Sequence, residues 1–241
     1  MGFGDVLDAA FQVYRSAFWQ LALIQAAVAV PVALVQSLAL HDTVTSGAAL
    51  SLAVVERNLP WSLLTGLLGL AQAAAVGALA QQAVAGEPLH PGAAYSGVLR
   101  RLPSLAGFGI VGGIVVGLLS MVFVIPGLVA FVYLAPALFL VTLGGEGVFR
   151  AVGHSLRLVQ GYFWRVLGVL LMAGLLVFII NLFVSLVATV VSNPLQNPLG
   201  AAVSVIAVTT MLSALLGSFP IVALYLQYVD LRVRKGEVVA D

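Results

Sequence analysis

No cysteine occurs among the 241 residues, so disulfides, thiolate metal sites and cysteine nucleophiles are all excluded. Histidine is nearly as scarce. His41, His90 and His154 stand far apart, with no HExxH and no partner at helical spacing, and no metal site is expected. Charge is scarcer still for a chain of this length: 8% of residues are Asp, Glu, Lys or Arg, where soluble domains average about 25%. Residues 166–229 pass without one charged side chain, and blocks 16–41, 58–86 and 102–145 are equally bare. What fills the space is apolar, 62% of the chain. A globular interior cannot use that much apolar surface, but a bilayer can. A net charge of +1 gives no reason to expect nucleic acid.

The absences also bear on chemistry. No carboxylate or histidine falls in the interior of an apolar block, which excludes an intramembrane aspartyl or metalloprotease and argues against proton- or sodium-coupled transport. Gly107-Phe108-Gly109-Ile110-Val111-Gly112 fits the dinucleotide fingerprint, but it follows no strand and lies within an apolar block, so the match is accidental. Gly153-His154-Ser155 lacks the closing glycine of a nucleophile elbow. No cofactor is expected, and the chain does not read as an enzyme.

A spanning helix needs about 20 apolar residues. The blocks divide into six spans, at 17–40, 60–85, 104–125, 127–143, 164–191 and 199–229, with sharp turns expected at Pro126-Gly127 and at Ser192-Asn193-Pro194 through Asn197-Pro198. The expected fold is thus an all-α polytopic membrane domain covering 1–241. Six spans put both termini on one side, together with Arg15, Arg100, Arg101, Arg150, Arg157, Arg165, Arg232, Arg234 and Lys235, leaving Arg57 alone opposite. The positive-inside rule makes that side cytoplasmic. Asp5, Asp8 and Arg15 interrupt the first residues, so no cleaved signal peptide is expected.

A threefold rhythm accompanies the spans. An amphipathic lead-in precedes spans one, three and five: Asp5–Arg15, Pro91–Arg101 and Gly147–Arg157. In the first, Leu7, Ala10, Phe11, Tyr14 and Phe18 share one helical face; in the last, Phe149, Val152 and Leu156 oppose Arg150, His154 and Arg157.

Small residues recur every four positions, at Gly109, Gly113 and Gly117, and again at Gly69, Ala73 and Gly77, a pattern that lets helices approach closely. Gln72 and Asn181 are the deepest intramembrane amides and are expected to bond across helices. Arg15, Arg100, Arg101, Arg157, Arg165 and Arg232 are the candidates for holding an anionic lipid headgroup, which guanidinium binds bidentately. Asp230 is the acid placed to form an ion pair with them.

Three strings stand out: Val6-Leu7-Asp8-Ala9-Ala10-Phe11 with Tyr14-Arg15; Ala151 and Ser155-Leu156-Arg157-Leu158-Val159 with Phe163-Trp164-Arg165; and Tyr228-Val229-Asp230-Leu231-Arg232-Val233-Arg234-Lys235-Gly236. Together they resemble the membrane domain fused to some bacterial glycerophosphodiester phosphodiesterases, and its stand-alone relatives. In the fused enzymes a separate metal-dependent barrel carries the chemistry. The short stretch after Gly236 leaves no room for such a barrel, so that activity is not expected here. The resemblance implies a six-helix bundle, a bacterial plasma membrane, and a link to lipids or envelope upkeep.

The function expected is therefore non-enzymatic: binding anionic lipid, or organising a protein partner or second copy, at a basic cytoplasmic face. A transporter or channel for a lipid or amphiphile is the alternative. A membrane-embedded lipid enzyme comes third, since phosphoryl or acyl transfer needs a base–nucleophile couple, a carboxylate pair or a metal.

Overall fold

The computed structural model describes residues 3–46, 52–191, 208–209, 212 and 216–237. Every element among them is helical: α1 (Phe3–Ser16), α2 (Phe18–Ser46), α3 (Leu52–Val84), α4 (Pro91–Leu99), α5 (Leu102–Val122), α6 (Val124–Leu134), α7 (Ala137–Thr142), α8 (Val148–Val159), α9 (Phe163–Val191) and α10 (Ser218–Arg234). Four stretches are long and apolar enough to cross a membrane: Leu59–Val84, Leu102–Val122, Val124–Thr142 and Phe163–Val190. A fifth arises if Gly4–Ser16 and Phe18–Val32, which meet at 81°, make one bent span. These apolar helices are consistent with a membrane location. The turns expected at Ser192-Asn193-Pro194 and Asn197-Pro198, and most of the sixth span before residue 216, lie outside the described residues. So do the side chains of Gln36, His41 and Arg57.

Each amphipathic lead-in forms a helix of its own: α1 precedes α2, α4 precedes α5 and α8 precedes α9. Their inward faces differ from those expected. In α1 the buried stripe is Val6, Ala10, Tyr14 and Ala17, while Phe11 is 58% exposed. Helix α1 lies along α10, with Tyr14 of the buried stripe packed edge-on against Phe219. In α8, Ala151, Ser155, Leu158 and Val159 turn inward. Phe149 and Leu156 face outward on the side that carries Arg150 and Arg157, so apolar and basic residues share one exposed face.

The α5–α6 hairpin also corrects an expectation. The chain turns at Phe123, whose extended backbone (φ −156°, ψ 148°) separates the two helices, and not at Pro126-Gly127. Proline is tolerated in the first turn of a helix, where its missing N–H has no partner to lose. Pro126 therefore sits within the first turn of α6, three residues after the break at Phe123. Gly127 is what lets the helices meet: a Cβ there would lie 2.9 Å from Ser120 Cβ and 3.0 Å from Ser120 Cα. Pro220 likewise falls in the first turn of α10, after a break at Gly217. Pro136 stands at the joint between α6 and α7.

The core is built around Phe139 on α7, which is fully buried against Tyr225 and Tyr228 of α10. Gly77 on α3 underlies it, and Gly109 on α5 meets Leu70 of α3. At Gly69, Gly113 and Gly117 a Cβ would meet nothing within 4 Å, so these three make no close helix approach among the described residues. Two side chains fasten α2 through adjacent carbonyls: Tyr95 of α4 donates to Ile24 O (2.7 Å), and Gln72 of α3 donates to Gln25 O (3.2 Å). Asn181 instead donates to Val177 O of its own helix (2.9 Å), so it adds no bond between helices among the described residues.

Candidate functional site

The last turns of α10 crowd Tyr228, Asp230, Arg232 and Arg234 into seven residues, followed by Lys235 and Glu237. An acid near a helix C-terminus is disfavoured by the helix dipole. Asp230 is 8% exposed and is compensated from two sides. Arg234, one turn on, donates from Nε to Asp230 Oδ2 at 2.8 Å, and Arg165 at the start of α9 brings Nη2 to 3.2 Å of the same oxygen. The ends of α9 and α10 are thereby locked together. The turn between α8 and α9 is held by the same segment: Lys235 donates to Gln160 O at 3.1 Å, and both Arg234 and Lys235 lie over the Tyr162 ring.

A second set of contacts begins at the α7–α8 turn. Arg101 donates from Nη1 to Val141 O (3.1 Å), placing a cation where α7 leaves its last carbonyls without helical partners. Gly145 follows with φ +70°, a left-handed backbone that favours glycine, and the Arg101 guanidinium lies against it. His154 Nδ1 then lies 2.8 Å from Glu146 Oε1, and its Nε2 lies 2.9 Å from Glu237 Oε1. Glu237 Oε2 lies 3.5 Å from Arg232 Nε, and Arg232 donates to the Tyr228 hydroxyl at 3.3 Å. The α4–α5, α7–α8 and α8–α9 junctions and the end of α10 thus share one end of the bundle. Ser155 pins α8 to the broken α6–α7 joint through Tyr133 O at 2.7 Å.

The six candidate arginines divide three ways. Arg101, Arg165 and Arg232 are brought to this end and are engaged there. Arg100 and Arg157 are exposed and have no acidic partner among the described residues. Arg15 stands elsewhere: its neighbour Tyr14 packs edge-on against Phe219, ring centroids 5.8 Å apart. Phe219 is eleven residues before Asp230, about 16 Å along α10. Arg15 there borders an open groove of about 330 Å³ at the α1–α2 elbow, with Phe11, Tyr14, Ser16, Phe18 and Trp19.

Sequence reasoning passed over His154, Glu146 and Glu237. Eight residues separate Glu146 from His154 and 83 separate His154 from Glu237, spacings that carry no local signal. The available hint was scarcity, since three of only nine acids, Glu146, Asp230 and Glu237, gather at this one end. Gln227, also on α10, is fully buried, and neither of its amide atoms has a hydrogen-bond partner among the described residues. The described residues include no group of three His, Asp or Glu arranged to hold a metal ion. Compared with known proteins, the chain matches no family model, no curated protein and no solved structure.

Proposed function

We propose that this chain is a non-catalytic six-span protein of a bacterial plasma membrane, with both termini cytoplasmic, that engages anionic lipid headgroups at its basic end. The carrying observation is the pairing of exposed arginines with exposed apolar anchors. Arg100 adjoins Leu99 (57% exposed), and Arg157 adjoins Leu156 (44%), on the side that also presents Phe149 (81%) and Trp164 (80%). Such a face sits at a headgroup boundary, the rings and aliphatics in the acyl edge and the guanidinium groups among the phosphates. Each arginine near an anionic surface adds about 1 kcal/mol of attraction. Arg165 and Arg232, spent on carboxylates, have less to offer a headgroup. The strings resembling the phosphodiesterase-associated membrane domain agree with a role at lipid, and that kinship is part of the proposal.

The experiment is native mass spectrometry after gentle detergent removal. Wild type is compared with an Arg100→Gln, Arg157→Gln variant, each reconstituted in phosphatidylglycerol or phosphatidylcholine. Wild type is expected to retain phosphatidylglycerol and the variant to lose it. Equal retention in both proteins would overturn the reading and redirect the search to protein partners at the same face.

A further inference from the structure

His154 is held between two carboxylates, one at each ring nitrogen. Glu146 comes from the turn before α8 and Glu237 from the turn after α10. A carboxylate can only accept, so both nitrogens must donate, and only the imidazolium has two N–H groups. Neutral histidine turns a lone pair toward one of the two acids. We propose that His154 is a pH-operated latch: protonated, it ties the segment following α10 to α8, and neutral, it releases one of its two acids. This is independent of lipid binding and stands or falls separately.

The surroundings make Glu237 the acid that leaves. Glu146 is fixed from its own backbone, whose N–H donates to Leu140 O at 3.1 Å, and its second oxygen is buried without a partner, so it depends most on the His154 N–H. Glu237 keeps Arg232 when His154 lets go. The other charged or titratable groups on the elements packed around His154 are Arg150 and Arg157 of α8, both exposed, Arg101 at the start of α5, Tyr133 of α6, and Tyr225, Tyr228, Asp230, Arg232 and Arg234 of α10. Of these, Asp230 pairs with Arg234, and Arg232 with Glu237. Arg101 stands behind Glu146 at Gly145 and does not replace the histidine. Burial works against charge on His154, but the hydrogen bonds and negative charges of Glu237 and Glu146 outweigh it and hold the pKa above the ordinary 6.5. The latch therefore contributes its full stabilisation below pH 6.5, and loses it as pH rises through the raised value.

Two measurements on the full chain in detergent test this. Nitrogen-15 histidine NMR follows His154 in wild type and in Glu237→Gln, and a spin label on V238C follows the tail from pH 5 to 9. Both ring nitrogens protonated in acid, a midpoint above 6.5 that falls in E237Q, and a label that loosens through the same pH range are the expected results. The loosening should be absent in V238C combined with His154→Gln, which cannot take up charge. A His154 midpoint at or below 6.5, a midpoint unchanged by E237Q, or a label equally mobile at every pH would overturn the latch.

Discussion

Phe139 occupies the notch that Gly77 leaves in α3: a Cβ built at Gly77 would stand 2.5 Å from Phe139 Cε1 and 2.8 Å from Cδ1. The ring has nowhere to retreat, because Tyr225 and Tyr228 back it on the far side. Overpacking a filled core typically costs about 1–3 kcal/mol. Gly77→Ala is accordingly expected to lower the melting temperature of the detergent-solubilised protein, and an unchanged melt would show that α3 and α7 do not approach this closely.

Asp230 is the single buried acceptor for two arginines. Asp230→Asn removes the buried carboxylate that Arg165 and Arg234 share, a loss on the order of 2 kcal/mol. Adding Arg165→Met to that variant removes one of the two guanidinium groups drawn to it and should recover part of the loss. If the double variant melts no higher than D230N alone, the penalty does not come from Arg165.

The glycines of α5 separate cleanly. Gly109 meets Leu70 Cδ1 at 2.7 Å on the Cβ side, whereas Gly113 has nothing within 4 Å there. Gly109→Leu should therefore lower thermal stability, and Gly113→Leu should leave it within about 0.5 kcal/mol of wild type, as surface changes do. A strong effect at Gly113 would reveal a neighbour outside the described residues, such as a second copy of the chain.

The all-helical class and four or five of the six expected spans were open to sequence reading because they depend on patterns that are local and periodic. Long uncharged blocks mark apolar helices, and the amphipathic stretches ahead of α2, α5 and α9 separate from them as helices of their own. Faces were harder. Phe11 is apolar like its buried neighbours, and which side of α1 turns toward α10 is a tertiary property that the pattern does not carry. The glycine repeat shows the same limit, since spacing tells that Gly109, Gly113 and Gly117 align but not that, among the described residues, the first alone of the three is closely met by another helix. At the candidate site, Asp230 stood out as a lone acid among arginines. His154 did not, because its meaning lies in two acids brought from distant turns.

The α5–α6 turn has an experimental consequence. Met121, Val122, Phe123, Val124 and Ile125 are between 67% and 86% exposed, and not one of them is polar. Such a tip offers water no polar side chain and forms an apolar cap on the hairpin, unlike a loop with solvated side chains. Epitope tags or fused reporters inserted between residues 121 and 125 would drag polar chain into that cap and alter the topology they were meant to report. A single cysteine is the gentler probe, and a chain with no native thiol gives it a silent background.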